Sequence, residues 1–195
     1  MESDRDWQNR VVTDLSIVVP VFNEAGSIEK LHEEMVVALN ARPQCTAELI
    51  YVDDGSTDGS LQLLAQIAKT DGRVSVIELS RNFGQTAAMY AGFQASSGRI
   101  IVPLDGDGQN DPADIFRLTD TLDEGFDCVS GWRVERQERQ VSRRLPSLLA
   151  NRMIVWATGV DIHDSGCTIK AYSGDLLRDI PLYGEMHRLI PFYVC

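Results

Sequence analysis

Arg99-Ile100-Ile101-Val102-Pro103-Leu104-Asp105-Gly106-Asp107-Gly108-Gln109 decides the fold. Residues 99–104 are apolar and β-branched enough to read as a strand buried on both faces. The next five form an acidic turn broken by two glycines. Asp105, Asp107 and Gln109 alternate at i, i+2 and i+4, a spacing that turns oxygen donors the same way while glycine permits the tight bend. Carboxylate and amide oxygens suit a hard divalent cation such as Mg²⁺ or Mn²⁺. In isolation the same residues also read as a solvated turn; their place at the end of a buried strand favours the site.

Working outward, the same grammar recurs upstream. Leu15–Pro20, Glu48–Val52 and Val74–Leu79 are short apolar strands, and helical spacing follows each of them at 26–40, Ser60–Lys69 and Gln85–Ala95. Downstream, Asp111-Pro112 opens a further helix, with Asp111 as N-cap, Pro112 in the first turn and Asp114 complementing the helix dipole. Phe126–Trp132 reads as a fifth strand. Alternating strands and helices predict an α/β domain with a mostly parallel sheet flanked by helices. Polar signatures follow strand one (Asn23-Glu24), strand two (Asp53-Asp54-Gly55-Ser56) and strand four. Ligands of open parallel sheets bind beyond the carboxyl ends of the strands, so the three signatures predict one site.

Other Asp-rich chemistries fit less well. A calcium EF-hand loop needs glutamate at its twelfth position, where Phe116 stands. No P-loop or dinucleotide Gly-x-Gly-x-x-Gly turn is present. A haloacid dehalogenase-like phosphatase, with Asp105 as nucleophile and Asp107 as acid, stays open as the alternative, as does a non-enzymatic nucleotide-binding domain. After strand two, Asp53 or Asp54 can accept hydrogen bonds from a base or a ribose, while Ser56 or Thr57 caps the following helix.

The 195 residues predict one domain, 15–195, behind a flexible leader, 1–14. A formal charge of −11, from 29 acids and 18 bases, argues against nucleic acid as a partner. Four scattered cysteines fit a reducing, cytoplasmic compartment. The leader does not resemble a signal peptide, and no apolar run approaches the ~20 residues that span a bilayer. The apolar ending Pro191–Cys195 suggests a C-terminally truncated product.

Ile17-Val18-Val19-Pro20-Val21-Phe22-Asn23-Glu24, Val52–Asp58, Ser80-Arg81-Asn82-Phe83-Gly84-Gln85 and Asp105–Gln109, in this order, resemble family 2 glycosyltransferases of the GT-A fold. The likeness is to the polyprenyl-phosphate branch that includes dolichyl-phosphate mannosyltransferases, and it runs from Leu15 to the end. It implies a metal-dependent transferase that moves a sugar from a GDP- or UDP-linked donor to a polyprenyl-phosphate lipid at the cytoplasmic face of a membrane. It leaves open a homo-oligomer or a separate membrane-anchoring partner.

By position, the resemblance puts Pro20, Phe22 and Glu24 in the nucleotide pocket, and Val52 with Asp53 or Asp54 at the base and ribose. Asp105, Asp107 and Gln109 hold metal and diphosphate, with Gly106 beside the donor and Asp107 also catalytic. Arg81–Gly84 resembles the segment beside the sugar, or else forms a structural turn. The family often has alanine and leucine where Gly106 and Gly108 stand, a departure that keeps the ligands and predicts a looser loop.

Arg133 resembles a position near the donor phosphates. Arg136, Arg143 and Arg144, with Arg139, form a guanidinium cluster suited to an acceptor phosphate, followed by a helix near Leu148–Trp156 that reads as interfacial or as core. Asp164 resembles a catalytic or sugar-orienting carboxylate. Gly184-Glu185-Met186-His187-Arg188 resembles a late motif that closes over the diphosphate or simply begins a helix.

Overall fold

The computed structural model describes residues 13–108, 110–131 and 169–194. Among these, six strands form one sheet in the order β3-β2-β1-β4-β6-β5. The strands are β1 (Leu15–Val21), β2 (Ala47–Asp53), β3 (Val74–Glu78), β4 (Ile100–Pro103), β5 (Cys128–Ser130) and β6 (Lys170–Ser173). β1 lies at the centre, parallel to β2 in the register Leu15↔Ala47 to Val21↔Asp53, and parallel to β4. β6 runs antiparallel to both β4 and β5. The sequence pattern gave no sign of β6: Lys-Ala-Tyr-Ser carries no β-branched run, and only the open edges of β4 and β5 make it a strand.

The side chains of the strands alternate between two cores, as a pleated sheet requires. Ile17, Val19, Leu49, Tyr51 and Val102 face α1 (Ile28–Asn40), α2 (Ser60–Thr70) and α4 (Asp114–Leu122). Val18, Ile50, Val52, Ile101 and Tyr172 face α3 (Gln85–Ala95), α5 (Gly174–Asp179) and α6 (Ile190–Val194). α1 shows why such helices form here. Ile28, Leu31, Met35 and Leu39 line one stripe and are buried, each contributing at most about 1.5–3 kcal/mol of apolar burial.

α3 has no comparable stripe because it is rich in small residues, and one of them fixes its height above the sheet. A Cβ on Gly92 would lie 2.3 Å from Val18 Cγ1 and 3.2 Å from Val52 Cγ2, so only glycine admits this approach. The start of α4 departs from expectation. Regular helix begins at Asp114, while the Asp111 carboxylate accepts the Ala113 N–H at 2.9 Å and so caps the preceding turn. Among the described residues no helix is long and apolar enough to cross a membrane.

Candidate active site

The loops leaving β1 and β2 are stitched together because their strands end side by side. Asp54 N–H donates to the Val21 carbonyl at 2.8 Å. Asn23, in left-handed backbone at φ 58, donates its N–H to Ser56 Oγ, and its side-chain oxygen accepts the Thr57 N–H at 2.8 Å. Glu24 N–H donates to Ser60 Oγ, and Ala25 N–H to Asp58. Ser56 and Thr57 therefore bind the neighbouring loop instead of capping α2, as the sequence suggested. Asp58 takes the local capping role, accepting the Ser60 N–H and hydroxyl. The Ser60 hydroxyl first, and the Ala25 N–H second, hold the Asp58 carboxyl below its usual value.

Asp53 and Asp54 are both buried, at 1% and 3% exposure, but they do different things. Asp54 accepts the Phe83 N–H at 2.7 Å on one oxygen and the Gly84 N–H at 2.8 Å on the other, which clamps the turn entering α3. Gly55, at φ 72, completes that clamp; a Cβ there would stand 2.6 Å from the Arg81 carbonyl carbon. Asp53 accepts the Ser56 N–H with Oδ2, while its buried Oδ1 has no hydrogen-bond partner among the described residues.

The loop after β4 seats against the end of β1. Leu104 N–H donates to the Val18 carbonyl, and the Ser27 hydroxyl, which shares its one proton with the Glu24 carboxylate and carbonyl, lies 2.9 Å from the Gly106 carbonyl. A Cβ on Gly106 would come within 3.2 Å of the Pro20 carbonyl. Gly106 is thus packed against the end of β1, whereas Gly108 supplies the positive φ of 70 that turns the chain. Asp105 is half-buried and Asp107 exposed. Gln85 Nε2 donates to Asp105 Oδ1 at 2.8 Å.

These pieces enclose one cleft of about 350 Å³, within the range of small-ligand sites. β1 and the loop after it contribute Pro20, Val21, Phe22 and Glu24, and the loop after β2 contributes Asp54. The loop after β4 contributes Asp105, Gly106 and Asp107, so the three acidic signatures do meet. The entry to α3 adds Asn82, Gly84, Gln85 and Ala88. The sequence left that segment between a sugar-side role and a structural turn; the structure shows the turn, and Asn82 and Gly84 also line the cleft. Ala88 carried no signal beyond being small. Val52 and Asp53 do not line the cleft: Val52 is fully buried under α3.

Asp105 and Asp107 fit a hard divalent cation that takes its other ligands from phosphate and water. Among the described residues no group of three or more His, Cys, Asp or Glu gathers into a protein-only cage. Gln109, Arg133, Arg136, Arg143, Arg144 and Asp164 lie outside the described residues, as do most of the leader and the 148–156 helix.

The family described as Glycosyl transferase family 2 matches residues 16–180. The chain belongs to that family. It is 44% identical over 183 residues to a dodecaprenyl-phosphate galacturonate synthase of Rhizobium johnstonii, covering 93% of this chain and 54% of the relative. It is 39% identical over 178 residues to an undecaprenyl-phosphate 4-deoxy-4-formamido-L-arabinose transferase of Pseudomonas aeruginosa, covering 91% and 52%. The chain thus spans about half the length of the curated relatives it matches.

Solved structures agree on the fold. A Mycobacterium tuberculosis glucosyl-3-phosphoglycerate synthase bound to Mn²⁺, UDP-glucose and phosphoglyceric acid superposes with a TM-score of 0.68 at 22% identity, covering 93% of this chain and 65% of that one. A Pyrobaculum calidifontis mannosyltransferase with GDP-mannose and Mn²⁺ gives 0.65 at 19%, covering 92% and 52%. The family 2 chain therefore has the GT-A fold. Nothing in these likenesses supports the phosphatase alternative.

Proposed function

We propose that this family 2 chain carries the donor side of a glycosyltransferase that moves a sugar from a nucleotide-sugar to a polyprenyl phosphate at the cytoplasmic face of a membrane. The observation that carries the reading is the single cleft in which the β1, β2 and β4 loops meet, with Asp105 and Asp107 at it. The names of the two relatives, both polyprenyl-phosphate sugar enzymes, support the acceptor.

Pro20, Phe22 and Glu24 form the wall against which a GDP- or UDP-linked donor lies. Asp54 shapes that wall by holding residues 82–84. Asp53, with one buried oxygen lacking a donor, is the better of the two for a base N–H, reached by a small shift of the loop over it. Asp105 and Asp107, with Gln109, would hold Mg²⁺ or Mn²⁺. When bound, the cation stabilises charge on the departing diphosphate, which removes the need for a protein acid there. A phosphate-monoester acceptor is already mostly dianionic at neutral pH, so it needs positioning more than deprotonation. Arg136, Arg143 and Arg144 suit that positioning, and Arg133 the donor phosphates. If the acceptor were a hydroxyl, Asp164 would serve as the base. The acceptor oxygen then attacks the anomeric carbon as the bond to the diphosphate oxygen breaks.

Calorimetry with UDP- and GDP-linked sugars, with and without Mn²⁺, tests the donor side, and mass spectrometry of a lipid-phosphate product tests the acceptor. Absence of any Mn²⁺-dependent binding of either nucleotide would overturn the proposal.

A further inference from the structure

The hydrogen bond from Gln85 Nε2 to Asp105 Oδ1, 2.8 Å long, joins the start of α3 to the loop after β4, both of which line the cleft. We infer that Gln85 is a positioning residue that orients the Asp105 carboxylate for the divalent cation. This rests on the metal-assisted reading above and adds a residue to it.

A neutral amide donor is well suited to the task. It fixes the torsion of a carboxylate without cancelling the charge a cation needs, which a lysine or arginine would do. An exposed glutamine ordinarily has too much rotamer freedom to fix anything. Here its backbone is pinned on both sides. On one side, Gly84 sits at φ 95 with its N–H on Asp54 Oδ2 at 2.8 Å. On the other, buried Thr86 shares a 2.6 Å hydrogen bond between Oγ1 and His187 Nδ1 in the turn Met186–Leu189. Further along, Gly92 sets α3 directly on Val18. The backbone of Asp105 is placed in turn by β4 before it and by Gly106 after it, which packs against the Pro20 carbonyl. Both backbones being placed in this way, the bond between the two side chains contributes to where the carboxylate points.

The test is Gln85→Met, which keeps length and removes the donor at an exposed position. Mn²⁺ binding in the presence of UDP or GDP is followed by electron paramagnetic resonance of free Mn²⁺, beside thermal unfolding without metal. Loss of an outer hydrogen bond to a ligand weakens the metal about tenfold or more. The expected result is that loss in Mn²⁺ affinity, with nucleotide binding restored by saturating Mn²⁺ and the metal-free melting temperature unchanged. Unaltered Mn²⁺ affinity overturns the inference. So does nucleotide binding that saturating Mn²⁺ fails to restore, or a lowered melting temperature, either of which makes Gln85 a structural residue of the cleft. Should the parent chain bind neither nucleotide with Mn²⁺, the metal reading itself fails, and that failure appears before any variant is made.

Discussion

Asp54→Asn separates the structural work of the second acidic signature from ligand contact. Asp54 is 3% exposed, and its two oxygens each accept one backbone N–H, from Phe83 and Gly84. Asparagine keeps one acceptor and turns an NH₂ toward the other N–H, where little water can reach. A hydrogen bond to a charged acceptor is worth about 1.5–3 kcal/mol, and a buried donor left unsatisfied costs about 1–3 kcal/mol. The two do not simply add, because they describe the same lost bond, so about 3 kcal/mol is the expected cost. For a chain of this length each kcal/mol moves the melting temperature by about 2–4 °C, giving a fall of about 6–12 °C. Circular dichroism melts measure it, and limited proteolysis across residues 80–85 should reveal faster cutting as the turn loosens. UDP and GDP binding should weaken as well, because Asn82, Gly84 and Gln85 wall the cleft. A melting temperature within about 2 °C of the parent, with nucleotide binding lost, would refute the clamp and make Asp54 a ligand contact first.

Gly92→Ala should lower stability by about 2 kcal/mol, since the 2.3 Å approach to Val18 Cγ1 outweighs the ~1 kcal/mol gain in helix propensity; adding Val18→Ala should recover part of the loss in a double-mutant cycle. Stability should also fall on mild acidification because of His32, whose ring meets the Tyr51 hydroxyl at 3.1 Å and Asp71 at 3.7 Å. Burial, opposed by Asp71, holds the His32 pKa below 6.5, so the unfolded chain takes up the proton first; the contribution is full above pH 6.5 and is lost as pH falls below it. Melts between about pH 7 and 5.5 should therefore flatten in His32→Gln, and an equally steep slope in that variant would dispose of the idea. A separate loss is expected below about pH 4, as Asp71, held low chiefly by its hydrogen bond from Arg73, becomes protonated. Asp105→Asn should leave the melting temperature without metal nearly unchanged and abolish Mn²⁺-dependent nucleotide binding, read by calorimetry.

Hydrophobic period and punctuation were enough to determine the α/β class, five of the strands and the meeting of three acidic loops. Those features are local: an apolar β-branched run ending in Asp and Gly means the same thing wherever it sits. The limits of α3 were legible as well, although its closeness to the sheet was not, because Gly92 matters only through Val18 and Val52. β6 escaped notice for the same kind of reason, since Lys170–Ser173 becomes a strand by filling the space between β4 and β5. At the site, sequence named both aspartates of the second signature alike, and only packing divides them, Asp54 onto the Phe83–Gly84 turn and Asp53 beneath the loop. The glycines at 106 and 108 looked equivalent too. Contact with Pro20 and Ser27 makes one a seat and a positive φ makes the other a turn. Sequence by itself determined which residue types arrive at the end of each strand; tertiary structure decided which of their atoms remain for a ligand, because hydrogen bonds between loops distant in the chain consume the rest.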